Sequence, residues 1–429
     1  MPRFSSLLSL ALGLLLSAAA VRADNWERFR GPNGDGISND KNIPVKFSTK
    51  ENVRWAVEIA GDYNGSPIVW GDRLFLQTAA ADGLDRSLLC LDAKTGKVNW
   101  KRSIPGAKVK LSRKDTSYSS STPTTDGTAV YIPFWNGKEI ILVAYDFQGE
   151  KLWERNLGEF VSQHGPGASP IVYKDLLIFS LDKDAYREAI KKVGPVANPA
   201  TLYALDKKTG KTVWEAPREA VRACYSVPFI LEKPGQAPEL IVTSTSAITS
   251  YQPLTGKSNW YWTWSFAKGP LRTIAATAHA DGMLFACSGD GSGERLAVAV
   301  ALNQKGNEVR PAQVWANNKQ FPYVTCLLTK GEHLYFANDL GIAGCFHAKS
   351  GKEVWFERMP DTKFYASPLL IDGKIYACSE QGDVFVYAAD TKYQLLQRNT
   401  LGEPMRATPA VADGALYIRT QNKLYCFGK

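Results

Sequence analysis

Aromatic, basic and amide side chains recur at one kind of position in this chain, a few residues before each of a series of short apolar runs. The candidates are Tyr63, Asn64, Tyr118, His164, Arg222, Tyr225, Arg272, Tyr323, Tyr365 and Arg406. Guanidinium groups and aromatic faces around a cavity suit a planar or anionic small molecule, or a peptide. The alternative is that these side chains simply fill a channel and keep their polar ends in water.

His164 is the candidate with acid–base chemistry near neutral pH. It stands in the segment Gln-His-Gly-Pro, which is typical of a loop. We find no Ser-His-Asp series, no glycine-rich phosphate loop, no paired carboxylates at a fixed spacing and no metal-ligand pattern among the cysteines and histidines. The sequence therefore assigns no catalytic residue and no metal ligand.

A repeat that runs along the whole chain positions these candidates. The segment 91–100, Leu-Asp-Ala-Lys-Thr-Gly-Lys-Val-Asn-Trp, returns in altered form at 205–214 and 348–355. A second marker alternates with it: a small residue and proline, an apolar run, an Asp-Gly type of turn and another apolar run. A period of about 40–50 residues with four short strands per unit is typical of propeller blades. Eight copies of the second marker predict an all-β, eight-bladed propeller with four-stranded antiparallel blades.

Each blade is expected to end in a strand that carries a tryptophan. The predicted blade anchors are Trp55, Trp100, Trp153, Trp214, Trp260, Trp315 and Trp355. A tryptophan between adjacent blades fills volume that a smaller residue would leave empty. The seventh blade has Leu396 at this position, so we expect looser packing at that junction.

The two ends of the repeat predict how the ring closes. Residues 53–59 form a strand without a preceding partner, and Leu424–Phe427 is the third strand of a blade that lacks a fourth. Pairing these strands closes the ring and removes its sheet edges. The predicted organisation is a signal peptide at 1–23, an N-terminal arm at 24–52 that packs across the propeller, and the propeller itself at 53–429.

The repeat also separates two faces of the ring. The hairpin rim carries the Asp-Gly and Thr-Gly turns of the blades, and the irregular rim carries long connections such as 101–120 and 181–200. The second connection contains a predicted helix at Asp184–Val193. Because the candidate site residues precede the inner strands, they converge on the channel mouth at the irregular rim. We therefore expect any binding site on that rim.

The first 23 residues have the composition of a signal peptide, with a basic start, an apolar run and small residues at the end. No cysteine precedes Cys90, so we expect export to the periplasm or the outside without a lipid anchor. No later stretch is long and apolar enough to span a membrane. Loss of Arg3 and Arg22 with the peptide lowers the net charge from +9 to +7. This mild excess favours solubility, with an anionic surface as the alternative partner, and the lack of interleaved basic and aromatic runs argues against nucleic acid.

The Leu-Asp-x-x-Thr-Gly-x-x-x-Trp blocks, with their Ser-Pro and Asp-Gly elements, resemble the quinoprotein or PQQ-like propeller repeat over about residues 53–429. The resemblance implies the propeller fold. The family includes quinone-dependent alcohol and glucose dehydrogenases, and also non-catalytic members such as a propeller lipoprotein that assists outer-membrane barrel assembly. Two dehydrogenase features are missing from this sequence: an adjacent Cys-Cys pair and recognisable calcium ligands.

We therefore predict an exported, monomeric, non-catalytic propeller that acts as a binding or assembly scaffold in the cell envelope, without a cofactor. Its partner would be another envelope protein, or an anionic or carbohydrate ligand, and no nucleic acid. The alternatives are a quinone-dependent dehydrogenase that uses PQQ with calcium, and a carbohydrate-binding propeller. A fold supports several functions, so the choice depends on the site.

Overall fold

The computed structural model of the protein describes residues 25–109, 116–184, 200–269, 271–306, 308–360 and 362–429. The predicted signal peptide and residues 185–193 of the predicted helix lie outside the described residues. Every regular element within them is a β-strand, and none of their segments is a helix long and apolar enough to cross a membrane.

The strands form eight four-stranded antiparallel sheets, one of which carries an additional parallel strand. The arm contains β1 (Ile37–Ser38), and β2 (Val53–Glu58) follows it. Blade 1 consists of β3 (Ile68–Trp70), β4 (Arg73–Ala79), β5 (Asp85–Asp92) and β6 (Val98–Pro105). Blade 2 consists of β7 (Thr124–Thr125), β8 (Ala129–Trp135), β9 (Glu139–Asp146) and β10 (Lys151–Glu159). Blade 3 consists of β11 (Ile171–Tyr173), β12 (Leu176–Asp182), β13 (Ala200–Asp206) and β14 (Thr212–Pro217).

The second half of the ring repeats this order. Blade 4 consists of β15 (Phe229–Leu231), β16 (Glu239–Thr243), β17 (Ala247–Tyr251) and β18 (Ser258–Thr263). Blade 5 consists of β19 (Ala278–Ala280), β20 (Met283–Gly289), β21 (Arg295–Lys305) and β22 (Glu308–Asn317). Blade 6 consists of β23 (Leu328–Lys330), β24 (His333–Ala337), β25 (Ile342–His347) and β26 (Glu353–Arg358). Blade 7 consists of β27 (Leu369–Ile371), β28 (Lys374–Cys378), β29 (Asp383–Ala388) and β30 (Leu395–Thr400).

The eighth blade is built from both ends of the chain, and this confirms the predicted fold and ring closure. It contains β31 (Ala410–Ala412), β32 (Ala415–Arg419) and β33 (Lys423–Phe427), with β2 as the fourth strand. Strand β2 pairs antiparallel with β33, with Val53 opposite Phe427 and Glu58 opposite Lys423. A closed ring has no unpaired sheet at a seam, so the closure protects the propeller from edge-to-edge association.

Burial differs between the strands of a blade as expected from their position in the ring. Strand β8 is buried at every residue, whereas β6 alternates between exposed and partly buried residues. A middle strand has both faces covered by neighbouring blades and therefore reads as a continuous apolar run. An outermost strand meets solvent and alternates. All seven cysteines are buried and unpaired.

Adjacent blades are joined by the tryptophans of the repeat. In six junctions the indole Nε1 donates a hydrogen bond to a carbonyl oxygen in a turn of the next blade, at 2.7–3.1 Å. These pairs are Trp55–Ala93, Trp100–Phe147, Trp153–Lys207, Trp214–Pro253, Trp315–Ala348 and Trp355–Asp390. At most of these junctions the indole covers the glycine of that turn; a Cβ on Gly210 would lie 2.6 Å from Trp153.

Trp260 departs from this pattern. Its Nε1 donates to Glu239 Oε2 of its own blade at 2.6 Å. The corresponding turn of blade 5 belongs to the long β21–β22 hairpin, where a Cβ on Gly306 would meet no atom within 4 Å. Val309 of this hairpin and Trp262 of β18 pack instead against the hydrophobic core that blades 4 and 5 share. At the junction between blades 4 and 5, the long hairpin therefore makes the contact that an indole packed on a glycine makes at most other junctions.

The small residue before each inner strand has a second role around the channel. The backbone N–H of Thr408 donates to Ser66 Oγ at 3.0 Å, and that of Ser367 donates to Thr408 Oγ1 at 3.0 Å. The same contact joins Cys326 to Ser367 and Thr122 to Ser169. These hydroxyl groups link consecutive inner strands, which explains why the repeat places Ser or Thr before proline at most blades.

The N-terminal arm lies across the hairpin end of the channel. Strand β1 pairs in parallel with β27, and Trp26 forms a bridge with Val69. The arm therefore satisfies inner-edge backbone groups of blades 7 and 1, which lie on either side of blade 8. Between these points the chain turns at Gly31, with a φ of 79°, and a Cβ there would lie 2.7 Å from the Trp26 ring. Glycine allows this close return at little cost.

Candidate functional site

The main cavity of the described structure has a volume of about 780 Å³ and opens at the irregular rim. Its wall comes from the segments before the inner strands and from loops between second and third strands. Phe29 of the arm lines its inner end. A cavity of this size is in the range of small-molecule sites.

Seven of the ten candidate site residues line this cavity. They are Asn64, His164, Arg222, Tyr225, Tyr323, Tyr365 and Arg406. Tyr63 and Arg272 lie behind them, in contact with lining residues. Tyr118 lies elsewhere: its ring stacks on Trp135, and its hydroxyl donates to the Val109 carbonyl at 2.6 Å. The convergence read from the sequence therefore exists for most candidates, and their role in binding stays a prediction.

Arg406 lines one wall of the cavity and lies close to two tyrosine rings. Its guanidinium lies 5.4 Å from the centre of the Tyr63 ring and 5.8 Å from that of Tyr365. Glu380, from the loop between the second and third strands of blade 7, accepts from Arg406 at 2.6 Å. Burial raises the pKa of Tyr63, and the nearby Arg406 opposes that shift. The carboxylate holds the guanidinium in a fixed position between the rings.

A second wall repeats this arrangement with residues of blades 5 and 6. Arg295, the first residue of β21, contacts Asp339 Oδ2 at 2.5 Å. The other carboxylate oxygen accepts from the backbone N–H of Tyr323 at 3.0 Å. The Arg295 guanidinium lies 5.2 Å from the centre of the Tyr323 ring. Burial raises the pKa of the Tyr323 phenol, so this phenol is a neutral donor at neutral pH.

Asp184 fixes the third side of the cavity by joining three loops. Its carboxylate accepts from the backbone N–H of Gln163 at 2.7 Å and from that of Ala223 at 2.8 Å. It also pairs with Arg272 at 3.1 Å, and both side chains are buried. Losing one partner of such a pair leaves an uncompensated buried charge. Asp184 therefore positions the segment that carries His164 and the side chain of Arg272.

The Tyr225 phenol is also held within the wall. Its oxygen lies 2.5 Å from Ser162 Oγ, and its O–H group donates a hydrogen bond to the Gly165 carbonyl at 3.0 Å. Burial raises the pKa of Tyr225, and this phenol is therefore protonated at neutral pH. These contacts fix the Ser162–Gly165 turn, and with it the backbone on both sides of His164.

Sequence reasoning missed the residues that reach the cavity from loops between second and third strands. These are Asp290, Gly291, Ser292, Gly293 and Arg295 of blade 5, and Asp339 and Leu340 of blade 6. The candidates predicted from the sequence all come from segments before the inner strands. The Asp-Gly-Ser-Gly sequence at 290–293 could have indicated these residues, because it predicts a loop at the irregular rim, near the channel mouth.

The fit of a quinone cofactor can be tested on the same residues. PQQ is a planar tricarboxylate that needs stacking faces, cations and, in dehydrogenases, a calcium ion held by several oxygen ligands. Tyr323 and Tyr365 offer aromatic faces, and Arg222 and Lys363 offer positive charge. Among the described residues no three His, Cys, Asp or Glu side chains are grouped so that they could hold a metal ion. The wall thus matches part of what PQQ with calcium requires.

Comparison with known proteins identifies the family. A family model described as outer membrane protein assembly factor BamB matches residues 45–166 and 110–357. The chain belongs to this family. The resemblance to the PQQ-like propeller repeat that the sequence motifs indicated is thereby confirmed.

Several solved structures share this architecture. BamB from Moraxella catarrhalis matches with a TM-score of 0.60 and 15% identity, covering 88% of this chain and 99% of that chain. Sqt1 from Saccharomyces cerevisiae matches with a TM-score of 0.58, 11% identity and coverage of 92% and 98%. Quinohemoprotein alcohol dehydrogenase from Comamonas testosteroni matches with a TM-score of 0.51, 12% identity and coverage of 96% and 81%. At these identities the matches show the fold alone.

One curated relative is an enzyme. Polyvinylalcohol dehydrogenase from a Pseudomonas species is 26% identical over 199 residues, which are 45% of this chain. The matched part spans only 29% of that relative. The similarity is therefore to part of a longer protein.

Proposed function

We propose that this protein is an exported scaffold of the cell envelope, which binds a component of the outer-membrane protein assembly machinery at its irregular rim. The observation that carries the proposal is the family match over 45–166 and 110–357 to the outer membrane protein assembly factor. The expected signal peptide at 1–23 agrees with export. In this role the propeller presents a rigid surface and performs no reaction.

The geometry of the irregular rim supports this use. Two of its described segments are held by buried ion pairs, Arg218 with Asp182 at 2.9 Å and Arg272 with Asp184 at 3.1 Å. Loops fixed in this way lose little conformational entropy when a partner binds, and binding is correspondingly tighter. The hairpin rim, by contrast, is partly covered by the N-terminal arm.

Two leucines give the irregular rim exposed apolar contacts. Leu84, in the loop between β4 and β5, is 56% exposed, and Leu340, between β24 and β25, is 43% exposed. Protein interfaces depend on a few apolar residues that a partner buries fully. The hairpin rim offers a matched residue, Leu254, which is 52% exposed in the turn between β17 and β18.

Co-purification from envelope extracts tests the proposal. We expect the wild-type protein to retain an outer-membrane assembly component, and Leu84→Lys with Leu340→Lys to lose it. Leu254→Lys introduces the same charge at a similar exposure on the opposite rim and should bind normally. Equal retention by all variants, or loss only in Leu254→Lys, would contradict a partner site on the irregular rim. Thermal melting of each variant confirms that the fold is intact.

A quinone-dependent dehydrogenase is the second candidate, and the partial match to polyvinylalcohol dehydrogenase favours it. The cavity has aromatic faces and cations but no grouped metal ligands among its described residues. We expect weak PQQ binding at most, and no dye-linked oxidation of alcohols or sugars after PQQ and calcium are added. Calcium-dependent turnover that is abolished in His164→Ala or Arg222→Ala would establish the enzyme instead.

A further inference from the structure

Among the described residues, the N-terminal arm closes the end of the main cavity that lies opposite the irregular rim. Arg28 donates to the Pro228 carbonyl at 2.7 Å, and Arg30 donates to the Leu327 carbonyl at 2.8 Å. Both arginines are buried within the channel, and Phe29 between them lines the cavity floor. A ligand must therefore enter and leave at the irregular rim, and a long chain cannot pass through the ring.

The charges of the cavity wall are largely compensated within the wall. The described cationic side chains that line it are Arg222, Arg295, Lys363 and Arg406. The carboxylates beside them are Asp290 and Asp339, which line the cavity, and Glu380, which holds Arg406. Four positive against three negative groups leave a net charge of +1. Such a wall has little preference for a strongly anionic ligand.

The same wall is rich in groups that donate and accept hydrogen bonds side by side. The Arg295–Asp339 and Arg406–Glu380 pairs each place a guanidinium next to a carboxylate. Asn64 adds an amide that both donates and accepts. A hydroxyl group also donates and accepts. Two neighbouring hydroxyls of one ligand can therefore bind a fixed pair, one accepting from the guanidinium and the other donating to the carboxylate. The pairs are already formed and do not need to be assembled on binding.

Aromatic faces complete the lining. Tyr323 and Tyr365 both line the cavity, each beside one of the two ion pairs. Flat aromatic side chains bury the apolar face of a ring-shaped ligand at low entropic cost. A ligand that fits has polar edges made of hydroxyls, apolar faces and no net charge. Sugar rings have all three properties.

We propose that this cavity binds the end of a neutral oligosaccharide chain. The sugar hydroxyls contact the Arg295–Asp339 pair and Arg406, which Glu380 holds in place, and the ring faces pack on Tyr323 and Tyr365. Because the arm closes the cavity floor, the site takes a chain end or a short branch rather than an internal segment. This cavity site is adjacent to the proposed partner surface, because Leu340 belongs to that surface and also lines the cavity. The two sites are tested with different variants.

Calorimetric titration with neutral tetrasaccharides of glucose and of N-acetylglucosamine tests the proposal. We expect at least one to bind with a dissociation constant in the micromolar to millimolar range, about −8 to −4 kcal/mol. Tyr323→Ala and Tyr365→Ala should each weaken binding by about tenfold or more, which corresponds to about 1.4 kcal/mol. Tyr323→Phe and Tyr365→Phe keep the aromatic face and should retain most of the affinity. Tyr261, which is 67% exposed on β18, provides the control variant Tyr261→Ala.

Salt and ligand charge separate this proposal from an anion site. Binding of an uncharged sugar should not change between low and high salt, whereas binding of an anion weakens as salt screens the charges. Citrate and a glutamate tetrapeptide are the anionic probes, and we expect neither to compete with the sugar. The proposal is overturned if no neutral tetrasaccharide binds, if Tyr323→Ala and Tyr365→Ala bind like Tyr261→Ala, or if the anionic probes bind more tightly with a salt-dependent affinity.

Discussion

Replacing Gly210 with alanine tests how the blades are joined. Gly210 lies in the turn between β13 and β14 with a φ of 69°, and a Cβ there would lie 2.6 Å from Cε3 of Trp153. The Trp153 Nε1 hydrogen bond to the Lys207 carbonyl, at 2.9 Å, holds the indole over the turn. Real side chains do not approach this closely, so either the indole or the turn must move.

Two energetic contributions are expected for Gly210→Ala. The left-handed backbone conformation costs an L-residue about 1–2 kcal/mol relative to glycine. Overpacking against the indole adds about 1–3 kcal/mol, as in other small-to-large substitutions in a packed interior. Gly306→Ala is the matched control, because its φ is 61° and no atom lies within 4 Å of the added Cβ. It should show only the backbone contribution.

Equilibrium unfolding in urea measures the difference. We expect Gly210→Ala to be less stable than Gly306→Ala by about 1–3 kcal/mol, at unchanged denaturant dependence. In a Trp153→Ala background the difference should disappear, since the alanine at 210 then meets no indole. Equal destabilisation by the two glycine substitutions in the wild-type background would refute the packing of indole on glycine.

Three further predictions concern pH, packing and closure. Burial alone would raise the pKa of Asp126, but hydrogen bonds within its turn and from Lys207 lower it to about 2. The Asp126→Asn variant should therefore be less stable than wild type at pH 7, and thermal melting should show the difference closing as the pH falls from 4 to 2. Trp100→Ala should lose about 3–5 kcal/mol in chemical denaturation, and Leu396→Ala less, because it removes less volume. Deleting residues 24–60 removes β2 and exposes β33, so light scattering should detect aggregation that the full chain does not show.

The blades could be predicted from the sequence because each turn and each tryptophan recurs in a fixed order. The exception at Trp260 depends on the partner turn in the next blade. There the chain reads Asn-Gln-Lys-Gly at 303–306, without the Thr-Gly turn, and the hairpin is longer. The local sequence around Trp260 alone does not contain this information.

The candidate site could be predicted only in part, for a similar reason. Residues before the inner strands have a position set by the repeat, and Tyr323 and Arg406 are among those that line the cavity. Arg295 and Asp339 come from neighbouring blades and meet only in the folded ring. Tyr118 has the right sequence position, but its ring packs on Trp135 instead, which sequence spacing does not reveal.

Photo-crosslinking in living cells tests the central claim, that the irregular rim is the binding face of an envelope scaffold. A photoreactive amino acid is placed at Leu84 in one variant and at Leu254 in the other, since both side chains are about equally exposed on opposite rims. We predict a crosslink from position 84 to an outer-membrane assembly component, and none from position 254. A crosslink from position 254 alone, or none to any envelope protein from either position, would contradict the account.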